Sequence, residues 1–188
     1  MKDLDFFTWR RECFLRFQGM TSADEVYPEL QRQTQNLGYD FFSLCVRHPV
    51  PFTRPKVSVH STYPQQWMAQ YHAENYFVID PVLKPENFVH GHLPWNDALF
   101  AEAQPLWDGA RDHGLRKGIT QCLMLPNHAM GFLSVSSTSL PVNLMANEVV
   151  ELRLQILVQL ALTTLLRLEH EMVMPPEMKF SKREKEIL

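Results

Sequence analysis

The chain has 188 residues, 45% of them hydrophobic and 21% charged, which is enough apolar material for one substantial core and a small appendage. The formal net charge is -3, with no dense Lys/Arg cluster before residue 179, so the main body lacks the electrostatic footprint of a nucleic-acid surface. Cys13, Cys45 and Cys122 are odd in number, far apart and without a C-x-x-C, which argues for free thiols in a reducing cytosol rather than a disulfide framework. Residues 1–5 begin polar, and 6–20 is interspersed with Arg10, Arg11, Glu12 and Arg16, unlike a signal peptide. The longest apolar run, 154–166, is broken by Gln155, Gln159, Thr163 and Thr164 and falls short of the roughly 20 residues a bilayer requires. These features describe a soluble cytoplasmic protein without membrane contact.

In chain order, Phe6, Trp9, Cys13, Phe17 and Met20 recur at helical spacing. Ser22 with Glu25 forms a capping box for a second helix, striped by Val26, Leu30, Thr34 and Leu37 and stopped at Gly38. Residues 39–47 carry apolar side chains on both parities, as in a strand covered on both faces. Pro49, Pro51 and Pro55 mark a loop. Residues 57–63 then alternate as a half-buried strand that turns Tyr63 inward with Val57 and Val59. Short helices are expected at 64–72 and 80–86, and another at 104–113, from Pro105 to Gly114. Residues 117–125 and 131–137 read as strands of a hairpin turning through 126–130, with Ser134 on the parity of Phe132; 138–143 is a loop. A long helix over 147–172, apolar around most of its circumference, suits packing on the sheet and on a partner subunit. This order predicts an α+β fold, an α-β-α sandwich around a central antiparallel sheet.

Within that frame Tyr63, Trp67, Asp80 and Trp95 stand out: a carboxylate and three aromatics with polar handles, where no Lys or Arg occurs between Lys56 and Lys84. Asp80 sits among Tyr76, Phe77, Val78, Val82 and Leu83, so if buried it must find donors. Such a set suits a pocket that grips a small, mostly apolar molecule by one or two polar atoms. Asp80-Pro81 also has the form of a helix start, and Trp67 and Tyr71, one turn apart, also have the form of core packing.

The segments DFFTWRR (5–11), YDFFSLCVRHPVPFTRPKV (39–57), IDPVL (79–83), EAQPLW (102–107) and FSKREKEIL (180–188) resemble the LuxR-type quorum-sensing transcriptional regulators, along essentially the whole chain. The resemblance implies a PAS/GAF-like autoinducer-binding and dimerisation domain over 1–172, a linker at 173–180, and at 181–188 the start of a truncated helix-turn-helix domain. A capping box at Ser181 and Glu184 fits that start. The implied partners are an N-acyl-homoserine lactone or a monoacylglycerol-like molecule, a second copy of the chain, and promoter DNA only through the missing domain. No cofactor or metal is implied.

Residue by residue, the resemblance gives Trp67 the lactone carbonyl, Asp80 the ligand amide N–H and Tyr63 the acyl carbonyl, with Ser43 and Ser134 near the same amide. Each role suits its group, since an indole only donates, a carboxylate only accepts and a hydroxyl does both. Cys45, Val57, Val59, Met68, Tyr71, Phe77, Val82, Trp95, Phe100, Leu106, Ala110, Leu115 and Phe132 are the candidates for lining the acyl-chain pocket.

Two rivals stand beside this reading. An enzyme is disfavoured, because there is no G-x-S-x-G elbow and His90-Gly91-His92 lacks a metal-ligand partner set. The other rival is a PAS/GAF-like dimerisation module with no obligatory ligand.

Overall fold

The structure, a computed structural model, describes residues 5–47, 57–88, 91–125, 128–139 and 148–173. The expected loop at Pro49, Pro51 and Pro55, the turn residues Pro126 and Asn127, most of the 138–143 loop, and everything assigned beyond residue 173 lie outside these.

Helix α1 (Phe6–Gln18) buries Trp9, Cys13 and Phe17, one stripe at fourfold spacing. Helix α2 (Ala23–Asn36) opens on the complete capping box: Ser22 accepts from the Asp24 N–H, and Glu25 accepts from the Ser22 N–H at 3.1 Å. It ends ahead of Gly38, whose φ of 93° suits glycine.

Strands β1 (Phe41–Arg47), β2 (Val57–Ser61), β3 (His92–Pro94), β4 (Lys117–Met124) and β5 (Met130–Ser137) form one sheet in the order β2-β1-β5-β4-β3. Every pairing is antiparallel. The register aligns Phe42 with Val135 and Ile119, and Leu44 with Leu133. These side chains bury beneath α1, α2 and α5 (Glu148–Val173). The opposite parity aligns Ser43 with Ser134 and Thr120, and Cys45 with Phe132. That face is covered by α3 (Gln65–Ala73), α4 (Gln104–Asp112) and three single 3-10 turns, Tyr76–Val78, Pro81–Leu83 and Pro85–Asn87. The α-β-α sandwich expected from the sequence is the observed architecture.

Four local expectations are corrected. The strand at 57–63 ends at Ser61 and is an edge strand, so one flank is open and Val59 is 46% exposed. The helix at 80–86 is two 3-10 turns, because Pro81 and Pro85 supply no N–H and Pro85 holds Lys84 extended at ψ 112°. Strand β3 was not foreseen; three residues ending in proline carry no readable period. Finally, the apolar stretch is longer than the run 154–166 suggested: the helix expected over 147–172 is α5, and its residues 148–169 are long and apolar enough to cross a bilayer by length and composition. Its packing explains the composition: Leu154, Leu157, Val158, Ala161 and Leu162 are buried to within 1% in the core that lies on the sheet. Leu162 lies so close to Gly131 that a Cβ there would collide with it.

Candidate ligand cavity

The second layer encloses a cavity of about 300 Å³ against the polar-bearing face of the sheet, within the usual range of small-molecule sites. Its far wall is aromatic and aliphatic. Phe100 and Trp107 stack at 4.4 Å between centroids, Trp95 meets both edge-on, and Leu106, Ala110 and Leu115 complete the surface. The wall approaches closely where glycines allow it: a Cβ on Gly118 would sit 2.5 Å from Trp95, and one on Gly109 would sit 2.8 Å from Trp67. The other side is formed by Val57 and Val59 of β2, Met68 and His72 of α3, and Phe77. Val59, His72 and Phe77 are exposed, so this side is the mouth.

Asp80 is the only carboxylate among the described lining residues and is 7% exposed. Its Oδ2 accepts from the Tyr71 hydroxyl at 2.8 Å, and its Oδ1 accepts from the Val82 N–H at 3.0 Å. It is therefore both the cap of the Pro81–Leu83 turn and a wall group of the cavity, and the two sequence readings hold together. Burial pushes its pKa up to about 6, while the Val82 N–H, the Tyr71 hydroxyl and the Lys84 charge pull the other way. Burial, then the Asp80 charge, pushes the Cys45 thiol up to about 12, so this wall thiol stays protonated and inert at neutral pH.

Two donors converge with Asp80. The Tyr63 hydroxyl is buried with no hydrogen-bond partner among the described residues. Burial first, then Asp80, pushes it well above the usual phenol range; Ser134 opposes the shift from outside hydrogen-bonding geometry. Trp67 is 2% exposed, packed against Tyr71, Tyr76 and His113, and its Nε1–H has no partner among the described residues. Buried polar groups are ordinarily matched, so a carboxylate with free lone pairs beside two unmatched donors is complementary to a head group holding one donor and two acceptors.

All the expected polar residues line the cavity: Tyr63, Trp67, Asp80, Ser43 and Ser134. So do all the expected apolar ones except Phe132. Phe132 lies on the foreseen sheet face, but its ring is taken up against Phe88 at 5.8 Å between centroids. Two roles also change. Tyr71, expected as apolar lining, supplies a hydroxyl to Asp80. Trp95, expected to offer a polar handle, donates its Nε1–H to Thr120 Oγ1 within the wall at 2.9 Å. Leu83 and Trp107 line the cavity without having been foreseen, and His72 lines it as well. Trp107 was legible, one position after Leu106 and three before Ala110 on the same helix. A second cavity of about 350 Å³ lies across the sheet between α2 and α5. Of its polar lining residues, Thr21, Ser58, His60 and Glu169 are exposed and Tyr27 is half-buried, so none of the described ones is a buried head-group site.

An antiparallel sheet between helical layers, with a buried carboxylate and unmatched donors at one end of an apolar cavity, defines a domain built to hold a small amphipathic molecule. Residues 22–165 match the autoinducer binding domain family model, and the chain belongs to that family, the ligand-binding part of LuxR-type quorum-sensing regulators. It is 59% identical to the regulatory protein SdiA of Escherichia coli over all 188 residues, covering 78% of that protein. It is 34% identical to the quorum-sensing regulator RhlR of Pseudomonas aeruginosa over 99% of the chain and 77% of that protein. The solved structure of SdiA in complex with octanoyl-rac-glycerol superposes with a TM-score of 0.83 at 58% identity, over all of this chain and 77% of that one. Both relatives are regulatory proteins by name, which fits a binding role better than a catalytic one.

Proposed function

We propose that the cavity binds N-acyl-homoserine lactones or monoacylglycerol-like molecules, with Asp80 accepting from the amide N–H or a glycerol hydroxyl. Trp67 then donates to the lactone or head-group carbonyl, Tyr63 donates to the acyl carbonyl, and Ser43 and Ser134 serve the same polar region. The acyl chain runs along Trp95, Phe100, Leu106, Ala110 and Leu115. The observation that carries this reading is that Asp80, the buried unmatched Tyr63 hydroxyl and Trp67, whose Nε1–H has no partner among the described residues, line one largely apolar cavity. The solved complex of the SdiA relative with octanoyl-rac-glycerol supports it.

The chain performs no chemistry on its ligand. Residues 1–172 act as the binding and dimerisation domain, 173–180 as a linker and 181–188 as the start of a helix-turn-helix domain through which the longer protein meets promoter DNA in the cytoplasm. Dimerisation uses exposed apolar side chains of α1 and α5: Phe7 (71% exposed), Phe14, Leu15, Val149 and Leu152.

Thermal denaturation with added octanoyl-rac-glycerol or N-octanoyl-homoserine lactone tests this. Binding to the native state alone, at about 100 times Kd, adds roughly 2.7 kcal/mol. No shift with either, or with lactones of shorter and longer chains, returns the fold to a ligand-free dimerisation module.

A further inference from the structure

Behind Ser134 the wall carries a chain of hydrogen bonds. The Trp95 Nε1–H donates to Thr120 Oγ1 at 2.9 Å, and Thr120 Oγ1 lies 2.9 Å from Ser134 Oγ. The register sets Thr120 of β4 opposite Ser134 of β5, and Ser134 opposite Ser43 of β1, so hydroxyls cross the sheet in one row. Ser43 and Ser134 line the cavity, whereas Thr120 is fully buried and does not.

The direction of the chain follows from what each group can do. An indole nitrogen only donates, so Thr120 accepts from Trp95, and each hydroxyl has one proton to give. If Ser134 gave its proton to Thr120, the Thr120 proton would need another acceptor. Among the described residues Thr120 Oγ1 bonds only to Trp95 and Ser134. A buried hydroxyl proton left unmatched is costly. With Thr120 donating to Ser134, Thr120 is satisfied and the Ser134 proton is released toward the cavity.

We propose that Thr120, held by Trp95, is a positioning residue that orients the Ser134 hydroxyl as a donor to an acceptor oxygen of the bound molecule. The proposal rests on the ligand reading above. It makes Trp95 and Thr120 determinants of affinity through Ser134, though neither offers its polar atom to the ligand.

The test is a calorimetric cycle on the whole chain with N-octanoyl-homoserine lactone and octanoyl-rac-glycerol as probes. Thr120→Val, which keeps the shape and removes the hydroxyl, is expected to weaken binding about 2- to 12-fold. Thr120→Ser is expected to restore it to within about twofold, and Thr120→Val is expected to cost nothing further in the Ser134→Ala background. Wild-type affinity in Thr120→Val, or a loss that simply adds to that of Ser134→Ala, overturns the proposal. If Thr120→Val does not fold, Thr120→Ala, which also removes the hydroxyl at a residue outside the cavity lining, is read in the same cycle by the same criteria. If the wild-type chain binds neither probe, the ligand reading itself fails, which is a distinct outcome.

Discussion

The Tyr71 hydroxyl donates to Asp80 Oδ2 at 2.8 Å, tying α3 to the Pro81–Leu83 turn that Asp80 caps. With Oδ1 held by the Val82 N–H, the carboxylate cannot rotate, and its remaining lone pairs are left for the cavity. Tyr71→Phe removes a bond that favours the charged form, so the Asp80 pKa is expected to rise further above 6. Ligand affinity at pH 7 is expected to fall about 2- to 12-fold. Carboxyl-carbon NMR titration and calorimetry measure the two; if neither moves, the bond does not form in solution.

Asp80 also sets a pH dependence whose sign differs between binding and folding. Its folded pKa lies near 6 against an ordinary 3.8. A ligand donor needs the carboxylate, so affinity is expected to hold above pH 6 and fall by up to about tenfold per unit below it. Folding runs the other way. Between pH 6 and about 4 the native state binds a proton that the unfolded chain does not, so this residue stabilises the ligand-free fold as pH falls and destabilises it as pH rises. His60, whose pKa burial lowers, loses native stability on acidification in a neighbouring window, so wild type is compared with Asp80→Asn. The variant should bind weakly with a flat profile between pH 5 and 7. A wild-type profile that is equally flat contradicts the assignment.

Gly109 links α4 to the ligand site through Trp67. An alanine there gains helix propensity of up to about 1 kcal/mol, but its Cβ falls 2.8 Å from Trp67 Cζ3 and 3.1 Å from Gln70 Nε2. Crowding of this kind costs about 1 to 3 kcal/mol, so the clash wins. Gly109→Ala is expected to lower the melting temperature and, by shifting the Trp67 ring, the ligand affinity. An unchanged melting temperature in a calorimeter shows that the ring moves freely, contrary to this packing.

Self-association through α1 and α5 predicts a dimer in analytical ultracentrifugation at micromolar concentration, and a monomer for Phe14→Glu combined with Leu152→Glu. A wild-type monomer contradicts the dimer proposal.

Much of the site was legible because its residues carry local signals. Asp80 precedes a proline in an apolar run, and the alternation from Val57 carries Tyr63 inward. The α4 stripe of Leu106 and Ala110 faces the sheet. What stayed hidden depends on contacts distant in sequence. Spacing puts Tyr71 on the face of Trp67 but cannot reveal that its hydroxyl reaches a residue nine positions on. Parity gives Phe132 the right face, yet only the placement of Phe88 decides that its ring is covered. Trp95 advertises an N–H, and a threonine two strands away from β1 absorbs it. Short elements such as His92–Pro94 are defined by their partner strand and not by their own period.

The central claim is that Asp80 and Trp67 hold the ligand's polar head, and calorimetry of Asp80→Asn and Trp67→Phe against one N-acyl-homoserine lactone tests it most directly. Asn caps a turn about as well as Asp, so the ligand-free fold of Asp80→Asn should persist, checked by thermal denaturation. Replacing a charged acceptor by an amide should cost about 1.5 to 3 kcal/mol, or roughly 10- to 150-fold in affinity. Trp67→Phe, which keeps the aromatic body and removes the donor, should show a loss in the same direction. Wild-type affinity in both variants, with the fold intact, would contradict the account.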